Sequence, residues 1–422
     1  MDKRTYAEYV NILKEELVPA MGCTEPISIA YAAAKARQAL GCIPESVEIQ
    51  ASPNIIKNVK SVIVPNTGSL RGIEAAAVAG IVAGQADDEL QVLSCVTEEQ
   101  IKSISENLKT IKCTVKASEN GYIFYNSVFV SGGGHTAYVE IAGSHTNIIC
   151  IKKDGETVFS REYTEEANSH KTDRSLLNVK DIVEFADTVL IDDIKETIGR
   201  QIQCNTAIAE EGLRNNWGAN IGAILIRSYG DGVYNRAKAY AAAGSDARMS
   251  GCEMPVVINS GSGNQGLTTS LPVIIYAKEL GVSEEELYRA LVVSNLVTIH
   301  LKTGIGPLSA YCGATSAGCG AGAGITYLYG GKENDISHTI VNALAINSGM
   351  ICDGAKPSCA AKIASAVEAG LLGMQMESND REFFGGEGIV VKGVENTIKN
   401  VSELAREGMK ETDKLIIHMM TR

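Results

Sequence analysis

Apolar residues recur at helical spacing over residues 5–20 and 26–40, which predicts two N-terminal helices, with Pro26 suited to a first helical turn. After Gly41 the period shortens. Short β-rich stretches occur at 46–51, 91–96, 113–115, 123–130, 137–141 and 147–152, interrupted by helical patterns at 70–83 and 98–108. Residues 163–177 are polar and read as a linker or surface loop. From about 180 to 375 nearly everything has helical texture, with Ala-rich stretches at 236–243, 267–281, 284–301, 338–349 and 360–373 separated by Gly-rich breaks. A further loop is expected over 375–390 and a last helix over 394–408. The pattern predicts an α+β fold, a mostly helical catalytic domain plus a smaller α/β domain. The segments are 1–42, N-terminal helices packing on the helical domain; 43–165, the α/β domain; and 178–422, the helical domain.

Composition narrows the function classes. The 422 residues exceed one ordinary core. The net charge of −12 argues against a nucleic-acid partner, which would meet a basic face. No run reaches the roughly 18 apolar residues that a bilayer span needs; the longest, 75–84, is rich in Ala and Gly and reads as a buried helix. The N-terminal residues lack the apolar core of an export signal. With eleven cysteines this points to a reducing, cytoplasmic setting in which the thiols are free, catalytic or metal-bound.

Four cysteines fall in two expected loops of the helical half, Cys312 with Cys319 and Cys352 with Cys359. Gly354 and Pro357 favour a bent loop, which can turn two thiolates toward one point. Soft thiolates suit zinc, Cu(I) or an iron–sulfur cluster, and spacing alone leaves that choice open. Any one of these cysteines could equally be a small core residue. Cys23 precedes the second predicted helix, where the helix N-terminus is expected to lower its pKa and ready it to take a proton. The run 259–266 lacks the Gly-Lys-Ser/Thr of a phosphate loop, but Ser260, Gly261, Asn264 and Gln265 precede a helix whose N–H groups can bind a carboxylate. Asn66, Thr67 and Gly68 form a second candidate of the same kind. Lys302 and His300 lie just ahead of the first cysteine loop and could face it, although a lone His is more often structural. The stretch 131–135 reads as a hairpin turn.

Several passages together resemble a known family: Met21-Gly22-Cys23-Thr24-Glu25-Pro26, the Gly-rich run 259–266, Gly306-Pro307-Leu308-Ser309-Ala310-Tyr311-Cys312-Gly313, and Ile351-Cys352-Asp353-Gly354 followed by Cys359. The chain resembles the α-subunit group of iron–sulfur-dependent L-serine dehydratases, and within it the L-cysteine desulfidase branch. That resemblance implies that Cys312, Cys352 and Cys359 ligate a 4Fe–4S cluster, that Cys23 is the proton acceptor, and that Cys319 is structural. The implied activity is a carbon–sulfur lyase, β-elimination from L-cysteine to sulfide, ammonia and pyruvate, without pyridoxal phosphate. L-serine dehydration by the same chemistry is the first alternative and a non-catalytic zinc or cysteine-sensing protein the second. The expected partner is a small amino-acid substrate, with no nucleic acid and no membrane; homo-oligomerisation is left open.

Overall fold

A computed structural model describes residues 1–164, 172–306 and 308–421. The middle of the expected 163–177 linker and Pro307 of the 306–313 motif lie outside them. The protein is α+β. Its six-stranded mixed sheet is built from β2 (Ser46–Ala51), β3 (Lys112–Ala117), β4 (Tyr125–Gly132), β5 (His135–Ala142), β6 (Ile148–Lys153) and β7 (Glu156–Ser160), in the order β3-β2-β4-β5-β6-β7. Two short strands, β1 (Pro19–Met21) and β8 (Pro255–Val257), pair separately. Among the described strands of this sheet only β2 and β3 pair parallel.

Strand alternation explains the sheet. Val115, Ile49, Val128, Val139 and Ile151 stand in one register row, and Ile49, Val128 and Val139 are fully buried. The helix Thr24–Leu40 packs over β4 and β5 and against the helix Ile73–Ala83. The earlier helix Lys3–Glu16 packs instead on the helical half, through Ile191–Arg214. The first forty residues therefore bridge the two layers. β1 reinforces the bridge by pairing antiparallel with β8, Ala20 opposite Val256.

The helical half is organised around Gly313–Leu328, surrounded by Gly263–Leu280, Glu284–Ile305, Glu333–Ile346 and Cys359–Glu377. Its centre is Gly- and Ala-rich because neighbouring backbones touch it. A Cβ at Gly318 would collide with the Ala366 carbonyl, and one at Gly320 with Thr298 Oγ1. One continuous apolar cluster joins the N-terminal helices, the sheet and this bundle. No helix among the described residues is long and apolar enough to cross a membrane.

Four expectations are corrected. Residues 91–96 form no strand; a 3-10 turn at Glu89–Gln91 leads into further turns, because Val92 and Leu93 are adjacent rather than alternating and both bury. Cys319 lies inside Gly313–Leu328 rather than in a loop. The first helix stops at Glu16, and residues 19–21 of its expected span are β1. Beyond the last expected helix, Val394–Glu403 with a π turn at Leu404–Gly408, a further helix runs from Lys410 to Thr421. The hairpin turn expected at 131–135 joins β4 to β5, with Gly132 opposite His135.

Candidate active site

A cavity of about 1040 Å³ lies where the two layers and the N-terminal segment meet. Its walls include Cys23, Glu25, Lys57, Asn58, His145, Arg248, Ser260, Gly261, Asn264, Gln265, Lys302, Tyr311, Cys312, Cys352 and Cys359. Residues from both ends of the chain thus share one space.

Backbone pairing sets the thiols of the first wall. Tyr311 and Ile351 form an isolated antiparallel bridge. Around it Cys312 N–H donates to Met350 O at 3.0 Å and Cys352 N–H to Ala310 O at 2.6 Å. The thiols of Cys312 and Cys352 lie close enough for each to shift the other's pKa. Cys359 opens the helix Cys359–Glu377 and is reached through a loop turned at Gly354 (φ +91°), where any side chain would press on the Lys57 carbonyl. Asp353 pins that loop by pairing with Lys356 and Lys362.

Electrostatics at this wall favour negative charge on one of the three thiols, Cys352. The neighbouring Cys312 thiol draws the Cys352 thiol down to about 6; burial opposes the shift, while the charges of Lys57 and Lys302 and the Gly354 N–H add to it. Cys312 is pushed well up by Cys352 and by burial, and burial raises Cys359. Burial lowers the Lys302 ammonium to about 8, against the attraction of Cys352 and Cys312. Lys302 Nζ is held by the Gly306 carbonyl, and Lys57 by Asp413 at 2.6 Å.

No three His, Cys, Asp or Glu side chains among the described residues close on a single point as the ligands of one ion would. The three thiols instead stand around the cavity, with Cys359 beside Cys23 in a small apolar cluster with Val62 and Met249. Soft donors in this number, with two buried ammonium groups nearby to balance their charge, fit a thiolate-ligated iron–sulfur group.

The rest of the lining is mainly polar. Cys23 is the N-cap of Thr24–Leu40, as expected. Gly22 (φ +57°) turns the chain from β1 into that helix, and a side chain there would strike Pro65. The expectation of a lowered thiol pKa fails. Cys23 is 2 % exposed, and its pKa is pushed well up by burial and then by the Glu25 carboxylate. The Cys23 Sγ–H donates to Glu25 Oε2 at 3.0 Å, and Asn58 Nδ2 donates to Glu25 Oε1 at 2.9 Å. Burial acts to raise the Glu25 pKa, but His145, the Cys23 thiol and Arg248 together hold it below its ordinary value. Burial lowers the His145 pKa, favouring a neutral ring, which packs edge-on to Phe124 at 4.6 Å.

The Gly-rich run forms the turn between β8 and the helix Gly263–Leu280. Ser260 and Gly261 take positive φ, and Thr24 Oγ1 donates to Gly261 O at 3.0 Å. Ser260, Gly261, Asn264 and Gln265 all line the cavity. Asn66, Thr67 and Gly68 do not: Thr67 Oγ1 donates to Val64 O at 2.7 Å within the loop, and Asn66 Nδ2 donates to Leu93 O at 2.6 Å, tying it to the turns after Glu89–Gln91. Lys302 lines the cavity, whereas His300 turns away to Glu395 at 2.7 Å. Asn58 Oδ1, His145 Nε2, Arg248 Nε, Gln265 Oε1 and Tyr311 Oη are buried without a hydrogen-bond partner among the described residues, and all five residues line this space. Orphaned polar atoms concentrated on one cavity mark a site for a polar ligand.

Residues 87–418 match the family described as serine dehydratase alpha chain. The chain belongs to the serine dehydratase α-chain family. The family match includes the three cysteines of the first wall. Cys23, Glu25 and Asn58 lie ahead of it, in a region covered by full-length relatives. A UPF0597 protein of Desulfitobacterium hafniense is 57% identical over 419 residues, covering 99% of this chain and 97% of its own. One of Lachnoclostridium phytofermentans is 51% identical, covering 98% and 99%, and one of Treponema denticola 46%, covering 100% and 99%.

Proposed function

We propose that the protein is an iron–sulfur lyase that eliminates sulfide from L-cysteine, giving pyruvate and ammonia. The observation that carries this reading is the shared cavity, in which Cys23 faces the same space as Cys312, Cys352 and Cys359. Those three cysteines would hold a 4Fe–4S cluster, which when bound supplies an iron with an open position, a Lewis acid for the departing sulfur or oxygen. Lys57 and Lys302 balance the thiolate charge.

Cys23 is the proton acceptor in this reading. Its thiol is hydrogen-bonded to Glu25 Oε2, 3.0 Å away, which gives the thiol proton a route off the sulfur as the α-proton is taken, while Asn58 orients that carboxylate. A thiol that is hard to ionise yields a strongly basic thiolate, suited to a weakly acidic α-proton. The turn at Ser260 and Gly261, with Asn264 and Gln265, receives the amino-acid backbone of the substrate. The enamine left by elimination tautomerises and hydrolyses in water.

The test is anaerobic reconstitution with iron and sulfide, followed by assay of sulfide, ammonia and pyruvate. Cys312→Ala, Cys352→Ala and Cys359→Ala should lose iron and activity together. Cys23→Ala should keep iron and lose turnover; a fully active Cys23→Ala protein removes Cys23 from the mechanism. The family description favours one second reading, dehydration of L-serine by the same residues. Ammonia release from serine exceeding that from cysteine would establish it. About one zinc per chain and no inorganic sulfide would instead indicate a zinc-binding sensor.

A further inference from the structure

Arg248 is 3 % exposed, yet among the described residues it has no carboxylate within ion-pair distance. Its Nη1 donates to Asn264 Oδ1 at 3.1 Å and lies 3.9 Å from Met249 Sδ. Its Nε has no partner. A buried guanidinium without a counter-charge is costly, and such groups are ordinarily paired. The nearest acid in the wall, Glu25, feels its charge but is bonded to Cys23 and Asn58 instead.

The guanidinium also lies against the first turn of Gly263–Leu280. A Cβ on Gly263 would overlap Arg248 Nε and Cζ. The N–H groups of that first turn have no acceptor within the helix, and they carry the positive end of its dipole. A buried unpaired cation and a helix N-terminus therefore converge on the cavity edge beside Cys23 and Glu25.

We infer that Arg248 and the first turn of Gly263–Leu280 form an anion subsite for the α-carboxylate of a small amino acid, and that Arg248 sets the requirement for a free carboxylate. The elimination reading supplies the identity of the ligand; the subsite itself stands on Arg248 and the helix. A planar guanidinium offers two parallel N–H donors to a carboxylate, a geometry that lysine lacks. The neighbouring orphan, Gln265 Oε1, is an acceptor and fits the ammonium end of the same molecule.

The test uses binding as well as turnover. Cluster-free protein is titrated calorimetrically with L-alanine, which has no leaving group, and with L-alaninamide, which has no carboxylate. Wild type should bind L-alanine at least about 30-fold more tightly than the amide. Arg248→Gln should erase that preference, and Arg248→Lys should restore only part of it. Gly263→Ala keeps the charge but displaces the guanidinium, and should lose the preference as well, with circular dichroism unchanged. In reconstituted enzyme Arg248→Gln should raise KM for L-cysteine at least 30-fold, a larger factor than any fall in kcat. A variant that binds L-alanine like wild type overturns the subsite, whether or not the enzyme eliminates sulfide. Carboxylate-selective binding without turnover of cysteine or serine would retain the subsite and overturn the elimination reading.

Discussion

The two walls of the cavity differ in how the chain builds them. The thiol wall takes Cys312, Cys352 and Cys359 from neighbouring loops of one helical bundle, joined by the Tyr311–Ile351 bridge. The polar wall gathers Cys23, Glu25, Asn58, His145 and Arg248 from the N-terminal segment, the sheet layer and the bundle. Buried ammonium groups attend the first, and Lys57 and Lys302 there hold protein partners of their own. The second carries an unpaired guanidinium and several orphaned polar atoms. A wall whose cations already hold protein partners suits a resident group. A wall left unsatisfied suits a ligand that arrives and leaves.

The largest test of this contrast is Glu25→Gln. The amide keeps the contact with Asn58 but cannot take the Cys23 proton, so kcat should fall about 10²-fold, the lower end for loss of a general base, with iron content unchanged. Loss of iron instead would merge the two walls into one structural unit. Lys302→Met probes the other side. Removing a buried cation beside Cys352 and Cys312 should weaken iron retention roughly tenfold, in the range seen when groups supporting a metal site are lost. Chelator challenge followed by iron analysis measures it, and KM should stay the same.

A smaller effect concerns the support behind the polar wall. Asp246 lies two residues before Arg248, fully buried, and caps the helix Ile221–Tyr229 by accepting from Gly222 N–H at 3.3 Å. Burial pushes its carboxyl up to about 6, partly offset by the N–H groups of Gly222, Ile221 and Ala219. The folded chain thus holds this proton more tightly than the unfolded chain. The contribution to stability is full below about pH 4 and is lost as pH rises through about 6. Asp246→Asn should therefore raise Tm by roughly 2–4 °C at pH 8 and leave it unchanged at pH 4. Smallest of all is Cys319→Ala. Its thiol is buried inside Gly313–Leu328 and absent from the cavity lining, so the change should cost about 1 kcal/mol and no iron.

The walls also differ in how far the sequence announces them. Cysteines in Gly- and Pro-marked loops are conspicuous, and Cys312, Cys352 and Cys359 could be named from residue type, spacing and family likeness. Glu25 reads as an ordinary first-turn acid, and His145 as a loop histidine. Neither carries a local pattern that foretells complete burial. Arg248 left one clue, an acid and a base two residues apart at the end of an Ala-rich helix. The strands β2, β4 and β5 were legible because one face of each is buried. All five residues of β7 are exposed, so alternation had nothing to mark. Gly313–Leu328 was unreadable for the opposite reason. Glycine disfavours an isolated helix by about 1 kcal/mol per residue, but here it permits backbone contacts that no other residue could make.

The ion pair between Lys57 and Asp413 spans 356 positions. During synthesis the three thiols leave the ribosome well before Asp413 does, and Lys57 waits without its counter-charge until the final helix follows. Truncation before Asp413 would leave the Lys57 ammonium buried in the cavity wall without its counter-charge.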